Sequence, residues 1–142
     1  NRNRIDDNVL LGALPFYWQC PQYVEEGVKG VVNTCDEYSG PWRTYNKLGI
    51  KQLRLKIIDY YPPSIDDVEK GVQFINEHAN NGDSVLGTAT YSKTRAHNLT
   101  SHPVHCKAGR GRSTTIVLCY LMDRYGLTPK VFEIEERRVG KE

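Results

Sequence analysis

The sequence predicts an α/β fold in which a mostly parallel central sheet is flanked by helices. The main observation is that apolar strand-like segments alternate with helix-like segments along the chain, which is the order that parallel sheets with crossover helices produce. A second observation is that helix-ending signals, such as Gly49 and the pair Asn81-Gly82, separate these segments. A length of 142 residues suits a single domain.

The first part of the chain predicts two strands and two helices. A short opening strand is expected around Val9 to Leu11, and a short helix near Gln22 to Glu26 precedes the apolar strand Val28 to Thr34. Proline is tolerated in a first helical turn, and glycine favours the end of a helix. We therefore predict a helix from Pro41 through Leu48 that Gly49 ends.

The next segments predict a second main strand and a long helix. Apolar residues from Ile50 to Ile57 mark the strand. Ser64 with Asp67 three residues later is a capping signature, and apolar residues then recur at helical spacing until Asn81-Gly82. A last helix is expected from Thr128-Pro129 through about residue 138.

One segment carries the chemistry, and it reads His105-Cys106-Lys107-Ala108-Gly109-Arg110-Gly111-Arg112-Ser113. Glycines let a chain curl tightly, and backbone N–H groups that converge where a helix starts bind a tetrahedral dianion. The sequence therefore predicts a phosphate-binding loop that opens into an apolar helix from about Ser113 to Tyr125. Because open α/β sheets bind ligands at the carboxyl ends of strands, we expect this loop at the carboxyl end of a central strand.

The side chains of this loop suggest a nucleophile and its helpers. Cys106 lies next to a helix N-terminus and the guanidinium of Arg112, so its pKa should fall well below that of an ordinary cysteine. Arg112 offers two phosphate oxygens a planar fork, and Ser113 can donate a hydrogen bond to the departing sulfur. Lys107 and Arg110 add positive potential, which favours an acidic substrate.

Other interpretations of this segment fit less well. A nucleotide-binding loop of the Gly-x-x-x-x-Gly-Lys-Ser/Thr kind needs glycine in place of Cys106 and lysine in place of Arg112. The plain alternative is that Cys106 is a buried structural cysteine before a helix, which is how we interpret Cys119.

Composition excludes several other classes of protein. A net charge of +2 is not typical of a nucleic-acid binder. The four cysteines show neither a Cys-x-x-Cys pair nor a spacing typical of zinc sites, which predicts no metal and a reducing, intracellular compartment. No run of 18 apolar residues is present, so no segment is expected to span a membrane. We also expect no cofactor and a monomer.

Phosphoryl transfer to sulfur needs an acid that protonates the leaving oxygen. Asp59 is the candidate, because it follows the predicted strand and precedes a turn-forming stretch able to act as a mobile flap. Asp66 and Asp67 are the alternatives, although a first helical turn already gives them a structural role. Cys35 follows a parallel strand and should reach the same edge, either as a packed thiol or as a redox partner of Cys106.

The segment from His105 to Arg112 resembles the signature of the cysteine-dependent phosphatases, the protein tyrosine and dual-specificity superfamily. Shorter motifs resemble one branch of it, the mitochondrial phosphatidylglycerophosphate phosphatase and its plant relatives. These motifs are Asn3-Arg4-Ile5, Leu11-Gly12-Ala13-Leu14-Pro15-Phe16, Val28-Lys29-Gly30-Val31-Val32, Leu53-Arg54-Leu55 and Gly71-Val72-Gln73-Phe74. The resemblance covers about residues 1–86 and 104–129.

This resemblance implies a dual-specificity-phosphatase-like fold and a metal-free phosphomonoesterase with a phosphocysteine intermediate. Cys106 matches the nucleophile, Arg112 the phosphate clamp, Ser113 the hydroxyl that assists the thiolate and Asp59 the acid. His105 matches the histidine that orders the loop, and the loop residues that would hold the phosphate are Lys107, Ala108, Gly109, Arg110 and Gly111. The implied substrates are phosphatidylglycerophosphate and, by proposal, phosphoinositides, and the implied location is mitochondrial.

Two regions depart from the pattern of these relatives. Residues 87–103 form an apparent insert, polar and without hydrophobic period, between the strand Ser84 to Leu86 and Val104-His105. After about residue 130 the resemblance fades, and the chain looks truncated within a single phosphatase domain of residues 1–142. We expect both departures to lower stability and to put activity in doubt.

Three functions stay open at this point. The first is a phosphatase acting on an anionic phospholipid, which leaves peripheral contact with a membrane open. The second is a protein tyrosine or dual-specificity phosphatase with a phosphorylated protein as substrate. The third is a catalytically impaired form that only binds phosphate groups.

Overall fold

The computed structural model describes residues 2–58, 61–88 and 105–126, and for residues 2, 3 and 105–111 it describes the backbone alone. The strands are β1 (Arg2–Arg4), β2 (Val9–Gly12), β3 (Val28–Cys35), β4 (Lys51–Ile57) and β5 (Ser84–Thr88). The helices are a 3-10 turn (Tyr17–Gln19), α1 (Cys20–Glu25), α2 (Trp42–Leu48), α3 (Ile65–Asn80) and α4 (His105–Tyr125).

The strands of the described residues form one sheet in the order β1-β2-β5-β3-β4. β1 runs antiparallel to β2, and every other neighbouring pair is parallel. The predicted α/β fold with a mostly parallel sheet is therefore confirmed, with β5 as a central strand. β1 was not predicted, because three polar residues carry no strand pattern and become a strand only by pairing with β2.

Helices cover both faces of the sheet, and neighbouring residues of one strand point to different cores. Val31 of β3 packs with α1 and α2, whereas Val32 packs with α3 and α4. The side chains of a strand alternate between faces, so a sheet covered on both sides needs apolar residues at successive positions. This explains why the neighbouring residues Val31 and Val32 of β3 are both apolar and both buried.

Local signals set most helix boundaries as predicted. The Ser64 hydroxyl accepts a hydrogen bond from the Asp67 N–H at 3.1 Å, and the Asp67 carboxylate accepts one from the Ser64 N–H at 3.3 Å. This reciprocal capping box starts α3 at Ile65. Gly49 ends α2 with a left-handed φ of 71°, a conformation that glycine adopts without steric cost.

The start of α4 was predicted wrongly. The helix begins at His105, eight residues before the expected Ser113. Lys107, Ala108, Arg110 and Arg112 are good helix formers, and each glycine among them costs only about 1 kcal/mol relative to alanine.

The predicted insert also begins later than expected. Gly87 and Thr88 continue β5, because β2 and β3 both offer them hydrogen-bonding partners. The rest of the insert, the expected helix from Thr128-Pro129 and the chain end lie outside the described residues.

Candidate active site

Arg112 carries a positive charge to the edge where the parallel strands end. Its Nη1 donates a hydrogen bond to the carbonyl oxygen of Ile57, the last residue of β4, at 2.8 Å. The same guanidinium donates to both carboxylate oxygens of Glu37, two residues beyond β3, at 3.1 and 3.0 Å. Only 3% of Arg112 is exposed, so this is a largely desolvated charge held by two strand ends.

The packing of α4 aims Arg112 at this edge. Ile116 and Val117 lie one helical turn after Arg112 and Ser113, and both are buried in the core shared with α3. Residues four apart lie on the same face of a helix. Anchoring Ile116 and Val117 in the core therefore turns Arg112 and the fully buried Ser113 toward the protein interior.

Glu37 is ionised at any ordinary pH. Burial by itself raises the pKa of its carboxyl, but hydrogen bonds from Arg112 and from the Cys35 thiol outweigh it and lower the pKa to about 2. A bidentate pair between a carboxylate and a guanidinium also fixes the plane of the guanidinium. Such a fixed, planar arginine is suited to recognising a group with two neighbouring oxygens, such as a phosphate.

A hydrogen-bond network from the strands holds the segment that carries Glu37. Arg54 of β4 donates to the carbonyl oxygens of Cys35 at 3.0 Å and Tyr38 at 3.3 Å. The Asn33 amide of β3 donates to the same Tyr38 oxygen at 2.9 Å. The register between β3 and β4 shifts here, and such bulges often re-aim side chains at the rim of a sheet.

Cys35 lies at the expected edge but is not an activated thiol. It is fully buried, and burial, followed by the hydrogen bond to Glu37 and the charge of that carboxylate, raises its pKa to about 11. Because a thiolate is the reactive form, a neutral thiol at physiological pH is a poor nucleophile. This favours the packed-thiol interpretation of Cys35 over the redox one.

The remaining predicted site residues are placed only in part. The backbone of His105 to Gly111 is helical, but the side chains of these residues, including Cys106, lie outside the described part of the structure. Asp59 also lies outside it, between the described residues Ile58 and Tyr61. The roles of Cys106, Asp59 and the loop residues therefore stay predictions, as do those of Arg112 and Ser113.

Sequence reasoning missed Glu37. The signal was available, because Glu37 follows the carboxyl end of an apolar strand in the same way as Cys35 and Asp59. The geometry of parallel sheets brings such residues to one edge. An acidic residue there was thus a candidate partner for the arginine of the loop.

Metal-binding clusters and membrane-spanning helices are both absent from the described residues. Within them, no group of three or more His, Cys, Asp or Glu side chains is arranged to hold a metal ion. No helix in the described ranges combines the length and apolar character needed to cross a bilayer.

Sequence comparisons find relatives that are named as phosphatidylglycerophosphate phosphatases. The Arabidopsis thaliana protein phosphatidylglycerophosphate phosphatase PTPMT1 is 38% identical over 131 residues, which are 90% of this chain and 34% of that protein. The Homo sapiens phosphatidylglycerophosphatase and protein-tyrosine phosphatase 1 is 36% identical over 135 residues, which are 90% of this chain and 59% of that protein. The chain thus spans less than two thirds of either relative.

A solved structure and a family description point the same way. The crystal structure of PTPMT1 superposes with a TM-score of 0.71 at 30% identity and covers 92% of this chain and 76% of that one. The family described as Swiss Army Knife protein, DSP-PTPase phosphatase domain, matches residues 18–141, which is most of the chain. The protein therefore belongs to the DSP-PTPase phosphatase domain family.

Proposed function

We propose that this chain is a phosphomonoesterase that removes the phosphate of phosphatidylglycerophosphate or a related anionic phospholipid. The observation that carries the proposal is the buried guanidinium of Arg112, oriented by Glu37 at the carboxyl edge of the sheet. Five residues separate it from Cys106 in the sequence, as in the signature of the cysteine-dependent phosphatases that this segment resembles. The names of the plant and human relatives support a phospholipid substrate.

The proposed first step transfers the phosphoryl group to sulfur. The Cys106 thiolate attacks phosphorus, the S–P bond forms, and the bond from phosphorus to the lipid oxygen breaks. Asp59 gives its proton to that oxygen, which leaves as an alcohol. Arg112 and the first backbone N–H groups of α4, which have no partner within the helix, bind the phosphate oxygens and neutralise the charge that develops on them.

The proposed second step returns the enzyme to its starting state. Water attacks the phosphorus of phosphocysteine, the S–P bond breaks, and inorganic phosphate leaves. The Asp59 carboxylate takes a proton from that water, which regenerates the acid. A hydrogen bond from Ser113 to sulfur stabilises the departing thiolate.

Phosphate release from two substrates by the full chain tests this proposal. One substrate is phosphatidylglycerophosphate in detergent micelles, whose leaving group is a poorly acidic alcohol; the other is nitrophenyl phosphate, whose leaving group needs little protonation. We expect Cys106→Ser to lower kcat on both by at least about a thousandfold. Asp59→Asn should lower kcat about 10² to 10⁴-fold on the lipid and much less on nitrophenyl phosphate.

Asp66→Asn is the matched control for the acid. Asp66 is an exposed carboxylate in the first turn of α3 and pairs with Lys70 at 2.9 Å, so its loss should leave both rates within about twofold. If the wild-type chain releases phosphate no faster than Cys106→Ser, and both rates are at background, the enzyme proposal is overturned in favour of a phosphate-binding protein. If Asp66→Asn loses activity on the lipid while Asp59→Asn keeps full activity, then Asp66 and not Asp59 is the acid that protonates the leaving oxygen.

A second candidate substrate class is the phosphorylated protein. The human relative carries protein-tyrosine phosphatase in its name, which is the observation that favours it. Comparing kcat/KM on phosphatidylglycerophosphate with kcat/KM on a phosphotyrosine peptide distinguishes the two. A higher value on the peptide would make the protein substrate the better proposal.

The mitochondrial location implied by the sequence resemblance is part of the lipid proposal. Imaging the protein in cells tests this location.

A further inference from the structure

Five large aromatic side chains are exposed on one side of the molecule. They are Phe16, Tyr17, Trp18, Tyr38 and Trp42, which we call the aromatic patch, and between 46% and 65% of each is exposed. Single exposed apolar residues are ordinary on protein surfaces, but contiguous apolar patches mark interaction sites. Phe16 and Tyr17 border the same cavity of about 350 Å³ as Tyr38 and Trp42, so the patch is contiguous.

The aromatic rings of the patch are held in place by local contacts. The Phe16 and Trp18 rings stack with centroids 4.6 Å apart, and Tyr17 meets Trp18 edge-on at 5.1 Å. The Phe16 N–H donates to the Gln19 side chain at 2.8 Å, which fixes the turn that carries these rings. The Arg43 guanidinium lies over the Trp42 ring, 5.0 Å from its centroid.

The charged side chains within the two segments that form the patch are basic. Residues 8–24 contain no charged side chain, and residues 38–48 contain Arg43 and Lys47 and no acidic one. Of the two acidic residues that precede Tyr38, Asp36 and Glu37, the second is paired with Arg112. Arg43 and Lys47 lie one turn apart on the exposed face of α2. A basic, aromatic-rich surface of this kind complements an anionic lipid headgroup region.

The patch adjoins the proposed active site. Tyr38 follows Glu37 directly, and Glu37 holds Arg112. The Tyr38 carbonyl oxygen accepts hydrogen bonds from Asn33 and Arg54, so this connection is rigid. A surface that touches a membrane here brings the phosphate-binding edge close to lipid headgroups.

We propose that the aromatic patch, with Arg43 and Lys47, is the surface by which this protein docks on an anionic phospholipid bilayer. The inference rests on the proposed lipid phosphatase function and names the surface that presents the site to the substrate. Tryptophan and tyrosine favour the membrane interface, where the ring is buried and the polar edge stays wet. A contact between two copies through this patch would instead place Arg43 and Lys47 of both copies in one interface, which adds like charges to it.

Tryptophan fluorescence tests the docking surface directly, because the chain's two tryptophans, Trp18 and Trp42, both belong to the patch. We expect a blue shift on adding vesicles of phosphatidylcholine mixed with phosphatidylglycerol, and a much smaller one with phosphatidylcholine alone. The single variants Trp18→Phe and Trp42→Phe report each ring separately.

Vesicle co-sedimentation measures the contribution of each part of the surface. We expect Trp18→Ala with Trp42→Ala, and separately Arg43→Glu with Lys47→Glu, to weaken binding to the mixed vesicles by about tenfold or more. Ile65→Ala and Lys70→Glu are the matched controls, since both residues are exposed on α3, across the sheet. Activity on nitrophenyl phosphate in an otherwise wild-type chain should stay unchanged in all four variants, which shows that they fold.

The outcomes separate this inference from the proposed function. Lipid hydrolysis in micelles without vesicle binding would overturn the docking surface and leave the enzyme proposal standing. Vesicle binding that depends on the patch, without lipid hydrolysis, would support the surface and overturn the substrate. A blue shift that grows with protein concentration without vesicles, together with a dimer in sedimentation, would assign the patch to a second copy and overturn the membrane proposal.

Discussion

The pair formed by Glu37 and Arg112 is the central interaction at the scale of single residues. An arginine with 3% exposure loses most of its hydration, and a buried charge of this kind costs several kcal/mol unless a partner compensates it. Glu37 compensates it through two hydrogen bonds, and the Ile57 carbonyl oxygen adds a third. The same contacts that stabilise the charge also orient it toward the proposed phosphate site.

Glu37→Gln should make this contribution measurable through its pH dependence. The carboxyl has a lowered pKa of about 2 in the folded chain, against 4.5 as an ordinary value. Its stabilisation is therefore fully present above about pH 5 and is lost as the pH falls toward 2. We expect the variant to be less stable by about 2 kcal/mol at neutral pH, since about a third of the glutamate is exposed and screened.

Urea unfolding at a series of pH values, from neutral pH down to the pKa of Glu37 at about 2, measures the difference in the free energy of unfolding between the wild-type chain and Glu37→Gln. The difference should shrink as the pH falls. Glu69→Gln, an exposed glutamate of α3, is the control and should show little difference at any pH. A constant difference for Glu37→Gln across the whole range would show that its loss acts through packing and not through charge.

At the scale of secondary-structure elements, the contact between α3 and α4 decides where Arg112 lies. The two helices approach closely at Gly71 of α3. A Cβ at this position would lie 2.6 Å from Cγ2 of Ile116 and 3.2 Å from Cδ1 of Leu55. Gly71 thus allows α4 to sit close enough to α3 for Ile116 to enter the core.

Gly71→Ala should destabilise the chain, although alanine is the better helix former by about 1 kcal/mol. The clash with a β-branched core side chain outweighs that gain, and we expect a net loss of about 1 to 2 kcal/mol in the free energy of unfolding. Glu69→Ala, on the exposed side of α3, should stay within about 0.5 kcal/mol.

A double variant identifies the clash as the cause. Ile116→Ala is itself destabilising, but it removes the side chain that the new methyl group would meet. The combined cost of Gly71→Ala and Ile116→Ala should therefore be smaller than the sum of the two single costs. Simple additivity would contradict the steric explanation.

At the scale of the whole molecule, the first turn of the chain is tied to the end of the last described helix. The hydroxyls of Tyr120 and Tyr125 both donate to Oδ2 of Asp6, at 2.9 and 2.7 Å, across more than 110 residues of sequence. Burial raises the pKa of Asp6, but these hydrogen bonds and that of the Asn8 N–H lower it on balance. The bonds hold the edge of the sheet against α4.

Asp6→Asn should weaken this connection, because a neutral amide accepts two tyrosine hydroxyls less well than a carboxylate does. We expect a loss of about 1 to 2 kcal/mol in the free energy of unfolding. Asp7→Asn is the matched control one residue away and should stay within about 0.5 kcal/mol. Equal stabilities of the two variants in urea unfolding would show that the tyrosine contacts contribute nothing to the stability of the molecule.

Local sequence patterns predict much of this protein. Three features depend only on residues close together in the sequence, so the local sequence is enough to predict them. They are the cap at Ser64, the glycine that ends α2 and the apolar residues of β3. The segment from Cys106 to Arg112 is equally local and indicates phosphate chemistry by its residue types and spacing.

Other features depend on which distant segments meet, and only the tertiary structure decided them. Glu37 and Arg112 are 75 residues apart, and the strand order and the packing of α4 bring them together. The strand β1 exists because β2 offers it a partner, and the exposure of Trp18 and Trp42 depends on where α1 and α2 leave them. Sequence alone predicted most of the elements and indicated the chemistry of the motif, whereas long-range packing decided which partner orients its arginine.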